Sequence, residues 1–168
     1  MLKNGCGWLL GLGLILMLGG CAFNGPVISS PVGGLKWGPY REEMRLSRED
    51  AVAKYNYCPT GGCVVRLESV EVKPSQARKG EDLTLTTSYT ILTPEQVAIP
   101  VTISREMFYQ GKSLGKVKDT DTRNYNGTWS HQTDISLAAD AAPGIYTLTT
   151  QISTGYGQDQ KSMQFGVE

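Results

Sequence analysis

Apolar and polar residues alternate regularly through the second half of the chain. The clearest run places Leu83, Leu85, Thr87, Tyr89 and Ile91 on one side of an extended segment. Similar runs follow as far as residue 168, and turn-forming Gly, Pro and Asp separate them. A period of two is typical of strands with one buried face. About seven such strands over residues 64–168 predict an all-β fold, as a single antiparallel β-sandwich.

Two stretches depart from this alternation. In the first predicted strand, residues 64–73, the apolar phase shifts between Leu67 and Val70, which indicates a β-bulge or a strand that changes sheets. Further on, a short strand is predicted at 113–118, and the polar residues 119–127 are predicted to form a loop.

A short helix is predicted ahead of the strands. Ser47 can cap its first turn, and the acidic residues that follow suit the positive end of a helix dipole. The helix is predicted over residues 48–56, because Pro59 prevents it from continuing. With the cysteine-containing loop behind it, this helix forms a predicted segment at 47–63.

The N-terminal residues have a different pattern. Residues 7–18 form an uncharged apolar run after a single Lys3. At about a dozen residues, this run fits the hydrophobic region of a secretory signal and is shorter than the ~20 residues of a spanning helix. Residues 21–46 contain repeated Gly and Pro, and we expect them to form a flexible tether.

The apolar run ends in Leu18-Gly19-Gly20-Cys21, which resembles the lipobox of bacterial lipoproteins. The resemblance implies a signal peptide at 1–20, an acyl-modified Cys21 as the new N-terminus, and export to the cell envelope. Two or three acyl chains give a stable membrane anchor, whereas one chain binds only marginally. Ala22, with no Asp beside it, implies the outer membrane in a Gram-negative cell, or otherwise the outer face of the cytoplasmic membrane.

Composition narrows the possible partners. The chain has 168 residues, with 16 Lys plus Arg and 16 Asp plus Glu. Loss of Lys3 with the signal leaves a net charge of about −1, and no basic tract is present. Nucleic acid is therefore not an expected partner, and no cofactor motif is present in the sequence.

The cysteines have separate expected fates. Cys6 leaves with the signal and Cys21 takes the lipid, so Cys58 and Cys63 remain. After export, two thiols this close in a turn-rich segment are expected to form a disulfide, which stabilises by about 2 kcal/mol for so small a loop. Free thiols, a redox pair or a metal site are the alternatives.

The strand order also resembles bacterial immunoglobulin-like or fibronectin-III-like modules. Pro143-Gly144-Ile145-Tyr146 looks like the turn and tyrosine that begin their penultimate strand. The resemblance covers about residues 64–168 and implies the sandwich shape. The buried cysteine pair of antibody domains is absent from the sequence.

Little in the sequence suggests catalysis. His131 shares the phase of Trp129 and Ile135 and is expected to be a strand residue, because no nucleophile motif accompanies it. The polar stretch after residue 118 supplies a weak calcium candidate, since alternating oxygen ligands suit that ion. Its candidate ligands are Asp119, Asp121, Asn124 and Asn126.

A binding surface is the favoured alternative to catalysis. Aromatic side chains and a charge in an apolar phase can contact a partner or a sugar. The candidate residues are Arg105, Tyr109, Tyr125, Trp129 and Tyr156. For Arg105, a bulge that turns it outward is the alternative explanation, and Trp129 can equally lie in the core.

The sequence therefore predicts a non-enzymatic, lipid-anchored envelope lipoprotein. We expect it to act as a binding or accessory module for another envelope protein or assembly. Binding of peptidoglycan or a surface polysaccharide is the first alternative, and hydrolase activity is a remote one.

Overall fold

The computed structural model describes residues 35–168, except for the side chains of residues 115–118. Strands make up most of this part of the chain, as the all-β prediction requires. One helix, α1 (Arg48–Tyr55), and a 3₁₀ turn at Pro59–Gly61 accompany them. The strands are β1 (Lys36–Leu46), β2 (Val64–Lys73), β3 (Gln76–Ala77), β4 (Asp82–Leu92), β5 (Ile99–Tyr109), β6 (Lys112–Asn124), β7 (Gly127–Ser136), β8 (Gly144–Thr154) and β9 (Gly157–Val167). The predicted signal peptide and lipid-bearing Cys21 lie outside the described residues.

The strands form two sheets. One has the order β1-β7-β4-β2, and the other has the order β3-β9-β8-β5-β6. Neighbouring strands are antiparallel except for β3, which pairs parallel to β9. The described chain thus has nine strands rather than about seven, and its second sheet is mixed rather than purely antiparallel.

Two apolar clusters lie in the core. We call the end of the molecule that holds Leu35 and Val167 the near end, and the end that holds Leu46 and Leu92 the far end. The near cluster contains Leu83, Leu85, Met107, Ile135, Leu137, Tyr146, Leu148, Phe165 and Val167, among others. The far cluster contains Leu67, Tyr89, Ile91, Ile99, Val101, Ile103 and Ile152. The alternating residues of the sequence supply both clusters.

The predicted tether is wrong over its last part, because Lys36–Leu46 forms strand β1. This strand pairs with β7 from Lys36 opposite Ser136 to Leu46 opposite Thr128. It lies at the edge of its sheet and has no fully buried residue, so its apolar pattern is thin. Gly38 and Pro39 lie within this strand, and the ladder tolerates them at the edge of the sheet, where the register shifts.

The helix prediction is confirmed to within one residue. Ser47 caps α1, and its hydroxyl accepts a hydrogen bond from the backbone N–H of Asp50 at 3.2 Å. Ala51 is fully buried where the helix covers the outer face of the first sheet. Asn56 ends the helix in a left-handed conformation.

The phase shift in the first predicted strand is a bulge in β2. Its register against β4 slips between Leu67 and Ser69. Leu67 and Val72 are therefore both buried although five positions separate them.

The predicted loop at 119–127 is wrong, because β6 continues to Asn124. Thr120 and Asn124 face inward, whereas Asp119 and Asp121 face solvent. The strand has the expected period of two, but polar residues occupy both faces. Hydropathy alone therefore could not reveal it.

Tyr146 fixes the start of β8. Its hydroxyl donates to the backbone carbonyl of Ala142 at 2.8 Å, and its ring is buried between Tyr109 and Phe165. The Pro-Gly turn and the following tyrosine thus form one closed corner at the near end.

Candidate functional site

A groove of about 300 Å³ opens at the far end of the molecule. It lies where β1 ends, α1 begins and two loops meet. Its lining residues are Met44, Ser47, Arg48, Glu49, Gln96, Tyr125 and Asn126. One basic and one acidic side chain at its edge leave the groove close to neutral, so its exposed apolar groups decide what it can hold.

Asn126 fixes the loops that carry the groove. Its side-chain amide donates to the carbonyl of Thr93 at 3.0 Å and to that of Glu95 at 2.6 Å, and its oxygen accepts from the N–H of Thr93. These bonds tie the β6–β7 connection to the β4–β5 loop. Asn126 is buried, and its side-chain nitrogen and oxygen are both hydrogen-bonded. The loops that form the walls of the groove are therefore fixed in position before any ligand binds.

Large apolar side chains are exposed beside the groove. Tyr125 is 57% exposed, Val97 56% and Met44 41%. Trp129 supports Tyr125 from below, since its indole N–H donates to the Tyr125 carbonyl at 2.8 Å. Exposed aromatic and Met side chains on a rigid rim are typical of binding surfaces.

Tyr156 lies at the same end, in the β8–β9 turn, and is 37% exposed. A hydrogen bond to the Glu95 carboxylate raises the pKa of its phenol, because the anionic partner disfavours a phenolate. The Tyr156 phenol therefore stays protonated beside Glu95.

The five residues of the predicted binding surface do not form one site. Tyr125 and Tyr156 are exposed at the far end, and Trp129 is half-buried beneath Tyr125 and packs on the far cluster. Tyr109 lies at the near end, where its hydroxyl donates to the Pro143 carbonyl at 2.9 Å. Arg105 is inside the sandwich, 1% exposed.

A belt of polar side chains crosses the interior between the two apolar clusters. Arg105 and Thr150 face inward from the second sheet, and Thr87 and His131 face them from the first. One guanidinium nitrogen of Arg105, Nη2, lies 3.0 Å from His131 Nδ1 and 3.4 Å from Thr87 Oγ1. Because a guanidinium only donates, Nδ1 must accept, and the His131 ring carries its proton on Nε2.

β1 covers the open side of this belt. Tyr40 stacks on the His131 ring at 4.8 Å. Glu42 accepts hydrogen bonds from the Tyr89 hydroxyl at 2.9 Å and, across the sandwich, from Thr122 at 2.8 Å. Sequence reasoning missed Glu42 and gave Tyr40 no role in a site, because both lie in the predicted tether. The sequence feature that could have revealed them is the alternation of Tyr40, Glu42, Met44 and Leu46 with more polar residues.

Burial controls the electrostatics of the belt. Desolvation lowers the pKa of Arg105 to about 10, and the nearby Tyr89 acts in the opposite sense. Desolvation, followed by the charge of Glu42 and its hydrogen bond, raises the pKa of Tyr89 well above its usual range. At neutral pH the interior therefore holds a charged Arg105 and a protonated Tyr89.

Cys58 and Cys63 are both exposed and are not bridged in this structure. Cys58 Sγ lies 3.0 Å from Thr60 Oγ1, and hydrogen bonds from Thr60 lower the pKa of the thiol. The disulfide between the two cysteines stays a prediction.

The calcium candidates do not converge on one point. Asp119 and Asp121 project from the outer face of β6, and Asn124 and Asn126 are buried and used in hydrogen bonds within the chain. In the described part of the chain, no group of three or more His, Cys, Asp or Glu side chains is arranged to hold a metal ion.

Within residues 35–168, no helix has the length and apolar character that crossing a membrane requires.

Comparison with known proteins assigns the chain to no family. No protein-family pattern and no curated protein sequence matches the chain. Among solved structures, a β-glucosidase from Erythrobacter marinus is 9% identical over 63% of this chain, with a TM-score of 0.48. An alkylpurine DNA glycosylase from Pseudomonas fluorescens is 13% identical over 62% (TM-score 0.44), and a sporulation control protein from Bacillus subtilis is 10% identical over 64% (TM-score 0.43).

The matched regions are parts of these larger proteins. The alignments span 16%, 30% and 50% of the β-glucosidase, glycosylase and sporulation-protein chains, respectively. Similarity at this level supports no inference about activity.

Proposed function

We propose that this protein is a bacterial envelope lipoprotein anchored through lipid on Cys21. The support is the Leu18-Gly19-Gly20-Cys21 sequence directly after an uncharged apolar run. The anchor belongs in the outer membrane of a Gram-negative cell, or otherwise on the outer face of the cytoplasmic membrane. Cys21→Ser should abolish acyl labelling and detergent-phase partitioning. Cys6→Ser is the matched control and should keep both, and unchanged partitioning of Cys21→Ser would exclude the anchor.

We also propose that the β-sandwich is immunoglobulin-like. The orders β7-β4-β2 in one sheet and β6-β5-β8-β9 in the other fit that arrangement, with β1 as an added edge strand. The Tyr146–Ala142 hydrogen bond at the start of the penultimate strand resembles the tyrosine corner of such domains. The fold assignment is independent of the binding role.

The binding role proposed is that of a non-enzymatic accessory module for another envelope protein. The observation that carries it is the far-end groove with its exposed Tyr125 and Met44. The described chain begins at the near end, so β1, with 11 residues, leads away from the anchor side. At about 3.3 Å per residue this strand spans roughly 35 Å. With the proposed anchor attached ahead of Leu35, this direction of β1 would present the groove on the side away from the membrane.

Site-specific cross-linking in the native membrane tests this role. A photoreactive residue at Tyr125 should capture one dominant envelope protein. The same residue at Ile145, which is 54% exposed at the near end, is the control and should not capture it. Equal capture at both positions would contradict a binding site in the groove, and Tyr125→Ala should release the partner.

Glycan binding is the second candidate, because Tyr125 and Tyr156 are both exposed at the far end. Aromatic faces on a rigid surface suit sugar rings. Retention on peptidoglycan or polysaccharide resin that is lost in Tyr125→Ala and kept in Ile145→Ala would favour this candidate over a protein partner. Turnover of esters or peptides by the purified protein would overturn both non-enzymatic proposals.

A further inference from the structure

Four polar atoms in the interior belt have no hydrogen-bond partner among the described residues. Two are the guanidinium nitrogens Nε and Nη1 of Arg105, and the others are the hydroxyl oxygens of Thr120 and Thr150. All three side chains are buried, with exposed fractions of 1%, 6% and 0%. Buried polar groups are normally paired, so a cluster of unpaired ones needs an explanation.

The three side chains lie on the inner faces of adjacent strands. Thr150 of β8 is the register partner of Arg105 in β5. Thr120 of β6 is opposite Ile103, two residues before Arg105 on the same face. Directly opposed residues in a sheet have Cβ atoms about 5 Å apart, and diagonal neighbours about 7–8 Å. Thr120 and Thr150 flank β5 on opposite sides, about 10 Å apart across two strand spacings. A small group must therefore lie over the Arg105 side chain, between the two threonines, to reach all three.

The available donors favour an anion. Arg105 offers two unpaired nitrogens, Nε and Nη1, which carry three N–H donors and no acceptor, and each threonine can turn an O–H toward the same ligand. None of the ion pairs among the described residues involves Arg105. Burial of a charged guanidinium without a counter-ion is strongly unfavourable.

The charged and titratable groups around Arg105 do not replace such an ion. His131 accepts from Nη2. Tyr89 is protonated and its hydroxyl is engaged with Glu42 and Asn124. Glu42 accepts hydrogen bonds from Tyr89 and Thr122, and none of the ion pairs among the described residues joins it to Arg105.

We propose that Arg105, Thr120 and Thr150 form a binding site for a small oxyanion inside the sandwich. The ligand carries a carboxylate, phosphate or sulfate group no larger than acetate or inorganic phosphate. Arg105 pairs with two of its oxygens, and the threonine hydroxyls donate to the others. Thr122 of β6 and Glu42 of β1 are hydrogen-bonded across the sandwich, and the ligand enters at this place, past Tyr40, when that bond opens.

Calorimetric titration of the full-length protein in detergent, at constant ionic strength, tests the site. Formate, acetate, phosphate and sulfate are the probes, with chloride as the reference ion. At least one oxyanion should bind with a stoichiometry near one, and Arg105→Met should weaken binding at least tenfold. Arg123→Met, which removes an exposed arginine, should leave the affinity unchanged. Equal binding by both variants, or no binding to wild type, would overturn the proposal.

Two milder variants keep the test informative if Arg105→Met fails to fold. Thr150→Val preserves the shape of the side chain and should weaken binding about three- to tenfold. Glu42→Gln removes a like charge beside the entrance while keeping an acceptor for Tyr89, and it should strengthen binding several-fold. Stronger binding by Thr150→Val together with weaker binding by Glu42→Gln would contradict the assigned geometry.

A diffraction experiment identifies the occupant directly. Crystals of the full-length protein soaked in selenate should show an anomalous selenium peak within hydrogen-bonding reach of Arg105 Nη1. Density for ordered water alone at that position would mean that water satisfies the four atoms, and the anion site would be excluded.

Discussion

At the scale of single residues, the sequence placed most side chains on the correct face and could not assign their roles. Arg105 shares its phase with Ile103 and Met107, which suggested either a bulge or a charge aimed at a pocket. The register slips found beside it insert residues in β6, so Arg105 stays inward. Alternation indicates direction, but only the three-dimensional pairing of strands shows what a buried charge contacts.

Replacing Tyr146 with Phe should reduce the free energy of unfolding by about 1–2 kcal/mol, because the partly buried Ala142 carbonyl loses its donor. Urea unfolding measures the effect. Tyr109→Phe removes a similar bond to Pro143 at a more exposed position and should have the smaller effect. Equal losses of unfolding free energy in the two variants would show that the Tyr146 hydrogen bond stabilises the fold no more than the exposed Tyr109 bond does.

Replacing Arg105 with Met should increase the free energy of unfolding at pH 7 by about 1–3 kcal/mol in a buffer without oxyanions, because a desolvated charge is removed. The advantage should diminish as the pH rises through about 10. A base with a lowered folded-state pKa binds fewer protons when folded, so above about 10 the wild type regains stability. Denaturant titrations of both proteins at pH 7 and 10.5 measure the difference. A constant difference would contradict the lowered pKa.

At the scale of elements, strands with an apolar face were predicted, whereas β1 and the second part of β6, after residue 118, were missed. The sequence of β4 alternates cleanly, and that of α1 carries its capping residue. β1 lies at an edge with no fully buried residue, and the inward residues of β6 after Asp119 are Thr120, Thr122 and Asn124. Their strand conformation depends on pairing with neighbours far along the chain, which local patterns do not encode.

The contact of β1 with β7 can be tested at Gly127. A Cβ atom there would lie 2.7 Å from the Leu46 carbonyl, and its φ of +146° is unfavourable for other residues. Gly127→Ala should therefore reduce the free energy of unfolding by about 2–4 kcal/mol, since backbone strain adds to the clash. Gly111→Ala, where φ is +77° and no atom lies within 4 Å, should cost only about 1 kcal/mol. Chemical unfolding compares them, and equal losses would argue against β1 in this position.

At the scale of the whole molecule, the polar belt divides the core. The sequence predicted an all-β protein, but not that two apolar clusters are separated by Arg105 and His131. It also placed Tyr125 and Tyr156 among the binding candidates without indicating that both lie at the far end. The chain order of residues carries no direct information about which loops meet at one end of a sandwich.

The division of the core should appear in double mutants. Ile103→Val and Ile135→Val lie in different clusters, so their losses, about 0.5–1.5 kcal/mol each, should add to within about 0.5 kcal/mol. Ile103→Val and Ile152→Val are register partners in one cluster and should deviate from additivity by more. Thermal or urea unfolding of the single and double variants decides this. Stronger coupling across the belt than within a cluster would contradict a divided core.

The path of β1 also has a mechanical consequence. If an anchor holds the chain before Leu35 and a partner pulls on the far-end groove, the tension runs parallel to the strand. The β1–β7 hydrogen bonds, from Lys36 opposite Ser136 to Leu46 opposite Thr128, are then loaded in shear, so they resist together instead of opening one after another. On the proposed anchor and partner, an edge strand without a fully buried residue would thus transmit force between the two.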